Sequence, residues 1–103
     1  LNDPQYIEAS RALAVRMLKE GGTTSRERIS YAFRLATART ISNAELNILH
    51  GAFVREKKRF TKDPAAALGF LSVGQQAPGT IDLAAYAMVA STILNLNETI
   101  TRQ

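Results

Sequence analysis

The sequence predicts an all-α fold, a compact bundle of about five helices. Three observations carry this expectation. Apolar side chains recur at three- and four-residue steps, the spacing that lines one face of a helix. Helix-starting and helix-stopping residues fall between those stripes. No segment shows a convincing two-residue alternation of the kind a half-buried strand needs.

The first helix is announced by Asn2-Asp3-Pro4, a cap followed by proline in the first turn, where a missing N–H costs nothing. Tyr6, Leu13 and Met17, with Ala9 and Ala14, form its apolar stripe, and Gly21-Gly22 stop it. Thr24-Ser25-Arg26-Glu27 matches a capping box, in which Thr24 and Glu27 satisfy free backbone N–H groups at the start of a second helix. Ile29, Ala32, Phe33 and Ala36 line one face of it. Ser42-Asn43-Ala44-Glu45 is a second capping box. It opens a third helix over roughly 43–61, with Leu46, Leu49, Ala52, Phe53 and Phe60 inward, expected to be the longest and the spine of the bundle. Asp63-Pro64 starts a short fourth helix that Gly74 is expected to close. After the loop-like Gln75 to Gly79, a fifth helix is expected from about Asp82 to Leu94. Its face is Leu83, Ala87, Ala90 and Leu94, with Tyr86 and Ile93 beside them.

With 103 residues, the chain suits one small domain, and its 46% hydrophobic content is that of an ordinary globular protein. No apolar run reaches the roughly 18 residues a membrane-spanning helix needs. The absence of cysteine excludes disulfides and thiolate chemistry. The first residue is Leu1, which suggests a piece of a longer chain. The net charge of +4 is concentrated in the middle: residues 23–62 hold nine basic and three acidic side chains.

That middle third contains the best candidate binding surface. Arg55, Lys58, Arg59 and Lys62 lie three, four and seven positions apart, so they share a helix face that can neutralise phosphates or acidic sugars. The competing reading is a solvated helix end, where cations are favoured by the helix dipole. Catalysis finds little support. His50 is the single histidine and stands among Leu46, Leu49 and Phe53, without the three or four ligands a zinc site requires. Asp3, Glu27, Glu45, Asp63 and Asp82 all fall at or near predicted helix starts, where a negative charge meets the positive end of the dipole. No phosphate-cradling glycine loop or nucleophile elbow is present. The chain is therefore read as no enzyme, with no cofactor and no metal. Asn97-Glu98-Thr99 matches the N-glycosylation pattern and is read as a chance match.

The segment Leu94-Asn95-Leu96-Asn97 closes the apolar run of the fifth helix. Asn is poor inside a helix and good at its end. Asn95 and Asn97 are therefore expected to end it, and one of them to tie the final helix to the first.

Four stretches carry a family resemblance: Leu1-Asn2-Asp3-Pro4, Tyr31-Ala32-Phe33-Arg34-Leu35-Ala36, Ala44-Glu45-Leu46 and Leu94-Asn95-Leu96-Asn97-Glu98. Through them the chain, from Leu1 to Arg102, resembles the C-terminal helical domain of unknown function of large planctomycete proteins, which often also carry a planctomycete-type cytochrome c domain. Thr99 departs from that pattern, which more often has an aromatic or apolar residue there. The resemblance implies the tail of a large, exported, multidomain protein, and the parents are suspected of roles in redox chemistry or complex-polysaccharide breakdown. It implies no catalytic residues.

The function expected is a non-catalytic structural or interaction domain that packs against other domains of its parent, with Tyr31, Ile48 or Val54 left exposed for docking. The alternative is a module that binds anionic polymer, acidic polysaccharide before nucleic acid, through Arg55, Lys58, Arg59 and Lys62.

Overall fold

Five helices and no strand make up the described residues, 4–101, of the computed structural model, with side chains described from 5 to 96. The helices are α1 (Pro4–Glu20), α2 (Ser25–Thr37), α3 (Asn43–Lys62), α4 (Pro64–Leu71) and α5 (Thr80–Thr101). The cap expected at Asn2-Asp3 lies outside the described residues. So do the side chains of Asn97-Glu98-Thr99.

Local chemistry sets most of the boundaries. Both capping boxes form. The Glu27 backbone N–H donates to Thr24 Oγ1 at 3.1 Å, and Glu27 Oε1 accepts from the Thr24 N–H at 3.0 Å. Ser42 and Glu45 repeat the exchange at 3.1 and 2.9 Å. Each box satisfies two backbone donors that a helix start leaves open. At the end of α1, Gly21 donates to the Met17 carbonyl at 3.0 Å, and Gly22 turns the chain with φ of 98°. Asp63 caps α4, its carboxylate accepting from the Ala66 N–H at 3.2 Å.

Glu45 also accepts two hydrogen bonds from the Arg39 guanidinium, at 3.0 and 2.7 Å. These, with the Ser42 N–H, hold its carboxyl down at about 2. A carboxyl lowered on folding adds stability above its unfolded value, and the addition disappears as pH falls through the folded value. Thermal stability is therefore expected to drop between about pH 4.5 and about pH 2. Glu45→Gln should flatten the drop in melts run at half-unit pH steps, while an unchanged pH profile would show that Glu45 is not its source. Both side chains are exposed enough for solvent screening to keep the effect small.

The central helix differs from the expectation. α5, at 22 residues, is longer than α3, at 20, and it is α5 that packs against all four other helices, most extensively α1. Ala84, Ala85, Tyr86, Ala87, Val89, Ala90 and Ile93 are all buried, so the helix is enclosed on several sides. A helix that is apolar most of the way round belongs in a core. The alanines let neighbours approach its backbone closely. Leu83 and Leu94, expected inward, are only half-buried. The buried arc centres instead on Tyr86, Ala90 and Ile93.

Two helix ends also move. α4 stops at Leu71 rather than Gly74. Ser72 takes the left-handed conformation, with φ of 57°, and Val73 donates back to the Leu68 carbonyl at 3.1 Å. This Schellman-type closure tucks Val73 against the core, a tertiary contact that outweighs the cost of a left-handed serine. α5 begins at Thr80 and continues through Asn95 and Asn97 to Thr101, so neither asparagine ends it. An interior asparagine costs less than about 0.7 kcal/mol, and no glycine or proline follows Gly79 to break the run. Asn95 is half-buried and engaged, while the Asn97 side chain lies outside those described.

The core joins Met17 and Ala14 of α1, Ile29, Ala32 and Phe33 of α2, Leu49, Phe53 and Phe60 of α3, and Leu71 of α4 around α5. Ala9, expected in the first stripe, is exposed. Ser10 is buried in its place and bonds the Tyr6 carbonyl one turn back at 2.8 Å. That bond satisfies the hydroxyl locally and makes its burial tolerable.

Candidate anion-binding groove

The four cations of the predicted basic face share one side of α3 and differ in their partners. Arg59 bonds Glu56 at 3.0 and 2.7 Å and lies with its guanidinium 4.3 Å from the centre of the Phe60 ring. It neutralises a carboxylate and covers a core aromatic. Arg55 is exposed on the same flank. Lys58 and Lys62 border a groove of about 460 Å³ on the other flank. Its remaining lining is Ser25 from α2 and His50, Phe53, Val54, Lys57 and Thr61 from α3.

Helix geometry explains the division. At about 100° per residue, the four cations cover an arc of roughly 100°, and the groove reaches only its near edge. His50, Val54, Lys57 and Thr61 follow one another at steps of four, three and four, which makes them the strip of α3 that runs beside the first turn of α2.

Two hydrogen bonds hold α2 to this side of α3. The Ser25 hydroxyl and His50 Nε2 are 2.9 Å apart, and Arg26 Nη2 donates to Asn47 Oδ1 at 2.7 Å. His50 is half-buried, as expected of a lone histidine, and stacks on Phe53 at 6.4 Å. Phe53 in turn stacks on Tyr86 of α5 at 4.4 Å, which fixes the apolar floor of the groove to the core. The Tyr86 hydroxyl accepts from Arg28 at 3.2 Å.

Among the described residues no carboxylate lines the groove. The nearby acids are engaged elsewhere: Asp82 with Lys57 at 3.1 Å, Glu56 with Arg59, Asp63 as the cap of α4, and Glu27 in its capping box. Among the described residues no carboxylate lies within ion-pair distance of Lys58, Lys62 or Arg55. Ser25 and His50 form a dyad without the acid that orients the histidine of a catalytic triad. Their bond reads as a link between helices. Among the described residues no group of three or more metal-ligating side chains comes together.

A second groove, of about 710 Å³, runs between α2 and the start of α3. Its guanidiniums are already used, Arg26 by Asn47 and Arg34 by the Ala38 carbonyl at 3.2 Å, and the Glu27 carboxylate lines it. It is therefore less suited to an anion.

Among the described residues the exposed large apolar side chains are Leu35, Ile48, Val54 and Leu96, with Ile48 the most exposed at 69%. Ile48 and Val54 stand where the spacing predicts. Tyr31 does not: it is half-buried, and its hydroxyl is bonded to Glu20 and Arg16. The bond from Tyr31, together with those from Arg16, lowers the Glu20 carboxyl below the ordinary glutamate value. The same carboxylate raises the Tyr31 phenol.

Sequence reasoning misses Ser25, Lys57 and Thr61 as parts of one groove. Along the chain, Ser25 stands only as an inner position of a capping box. The signal available is the strip His50, Val54, Lys57, Thr61 beside the apolar stripe of α3. No helix among the described residues is long and apolar enough to cross a membrane. Comparison with protein-family models, with curated proteins and with solved structures finds no match to this chain.

Proposed function

We propose that this chain is a non-catalytic interaction domain that docks on another domain of a larger, exported protein. The observation that carries the reading is Ile48, an isoleucine 69% exposed in the second turn of a well-capped helix. It belongs to a stripe along the outward face of α3: Ala44, Ile48, Gly51, Arg55, Lys58 and Lys62, at steps of four and three. That spacing is the seam along which a second helix packs. Its first half is small and apolar, and its second half is basic. A partner helix with an apolar end and an acidic end complements both halves. The planctomycete resemblance supports the larger parent and its export.

The test is a calorimetric titration of the chain against the separately expressed remainder of its parent. Saturable binding that persists at high salt is expected. Ile48→Asp should weaken it at least about tenfold, as removal of a central apolar anchor does. Unchanged binding by Ile48→Asp would remove α3 as the docking face. Ile48 is exposed, so the fold should be unaffected.

A second reading is binding of an anionic polymer, acidic polysaccharide above all, by the basic face. It is favoured by Arg55, Lys58 and Lys62 having no carboxylate partner among the described residues. Arg59, held by Glu56, contributes less than its position on the face promises. Heparin binding that collapses with added salt is its signature.

A further inference from the structure

The flank of α3 that faces α2 carries a more defined feature than the outward stripe through Ile48 or the basic face. It gathers cations, a hydroxyl and an apolar floor in one concavity. We propose that this groove binds the terminal oxyanion of a small phosphate or sulfate ester, with the ester's apolar body against Phe53 and Val54.

Charge comes first. Lys58 and Lys62 line the groove and have no carboxylate partner among the described residues. Lys57 adds a third ammonium, shared with Asp82 at 3.1 Å. With no acid in the lining, no described carboxylate competes with an incoming anion for Lys58 and Lys62, while Lys57 is held in part by Asp82. Ammonium groups act on phosphates as point charges on flexible stems, so they can close on an oxyanion without a preset fork geometry.

Direction comes next. Ser25 is the first residue of α2, so the positive end of that helix dipole lies at the groove. When His50 carries its proton on Nε2, that N–H donates to Ser25 Oγ across the 2.9 Å contact. The serine proton is then free to donate to a ligand oxygen. The dyad acts as a hydrogen-bond relay that aims a hydroxyl. His50 is a positioning residue here, and the Ser25 Oγ is the contact.

Selectivity for an ester over a bare anion follows from the floor. The Phe53 ring is stacked on Tyr86 and cannot swing away, and Val54 stays 47% exposed beside it. The volume of about 460 Å³ lies within the range of small-ligand sites. An apolar body of ring size covers surface that inorganic phosphate leaves wet.

The experiment is an NMR titration of the labelled chain with three probes: phenyl phosphate, inorganic phosphate and phenol. Saturable shifts at the Ser25 amide, the His50 ring and the Lys58 amide are expected with phenyl phosphate. Its affinity should exceed that of inorganic phosphate by about three- to tenfold, and phenol alone should bind more weakly than either. Lys58→Ala/Lys62→Ala should weaken phenyl phosphate about tenfold or more. Arg55→Ala/Arg59→Ala removes the same charge from the far flank and should change affinity by less than about threefold. Ser25→Ala should cost about tenfold or more, the loss of one hydrogen bond to a charged oxygen.

Equal weakening by the two double variants would show a general field rather than a site, and would overturn the proposal. So would the absence of saturation, or equal affinity for phenyl phosphate and inorganic phosphate. The inference does not rest on the docking reading. Ile48→Asp should leave phenyl phosphate binding intact, so the two can fail separately.

Discussion

Phe60→Ala is expected to destabilise the chain by about 3–5 kcal/mol, the range for an aromatic ring removed from a packed core. Phe60 is fully buried near the end of α3. Its ring stacks on Phe70 of α4 at 6.3 Å, and the Arg59 guanidinium closes over it at 4.3 Å. Truncation removes the transfer free energy of the ring and leaves a cavity at the α3–α4 junction. Asp63 alone separates the two helices there, so the backbone has little room to collapse. Domains of this size have stabilities of about 5–15 kcal/mol, so the loss is a large part of the total. The melting temperature should fall by roughly 15 °C or more. Ile48→Ala is the control. It removes a comparable apolar side chain from an exposed position and should change stability by less than about 0.5 kcal/mol. Denaturant melts of the two variants check the pair. Similar midpoints would mean that the ring is not packed as described.

The second large effect is at the α1–α2 turn. Gly21 is buried, and a β-carbon there would stand 2.5 Å from the Met17 carbonyl oxygen and 3.0 Å from Arg28 Cα. Both obstacles are backbone atoms, so no side-chain rotation relieves the clash. Gly21→Ala must push α1 away from α2 or break the hydrogen bond that closes α1. A cost of about 3 kcal/mol is expected, at the upper end for overpacking. Gly69→Ala should have the opposite sign. Nothing lies within 4 Å of its added β-carbon, and it sits inside α4. Alanine there removes freedom from the unfolded chain and should stabilise by roughly 0.5–1 kcal/mol. Two Gly→Ala changes of opposite sign separate close packing from helix propensity. Destabilisation by both would show that α4 is strained, while neutrality of Gly21→Ala would show that α1 and α2 are free to move apart.

The division between what is legible in the sequence and what is not follows sequence distance. Thr24 with Glu27 and Ser42 with Glu45 are three residues apart, and a capping box is complete within that span. The starts of α2 and α3 are therefore readable from the chain alone, as are the helical class and the buried Met17, Phe33, Phe53 and Phe60. The end of α4 is not. A left-handed serine is unfavourable locally, and only the contact of Val73 with the core makes it the better stop. α5 runs past the Leu94 at which two asparagines suggest an end, because an interior asparagine costs little and no glycine or proline follows to break the run.

The candidate site shows the same division. That Arg55, Lys58, Arg59 and Lys62 share one side of a helix is readable from their spacing, because it is a property of the 3.6-residue turn. Which of them have partners depends on how the helices pack. Packing brought Ser25 to His50 across 25 positions of sequence and placed Asp82 beside Lys57, while Arg59 is held within its own helix by Glu56 and Phe60. Spacing along a helix says which residues are neighbours on its surface. It says nothing about which neighbouring helix arrives there, because that is fixed by how the apolar stripes of all five helices are buried together.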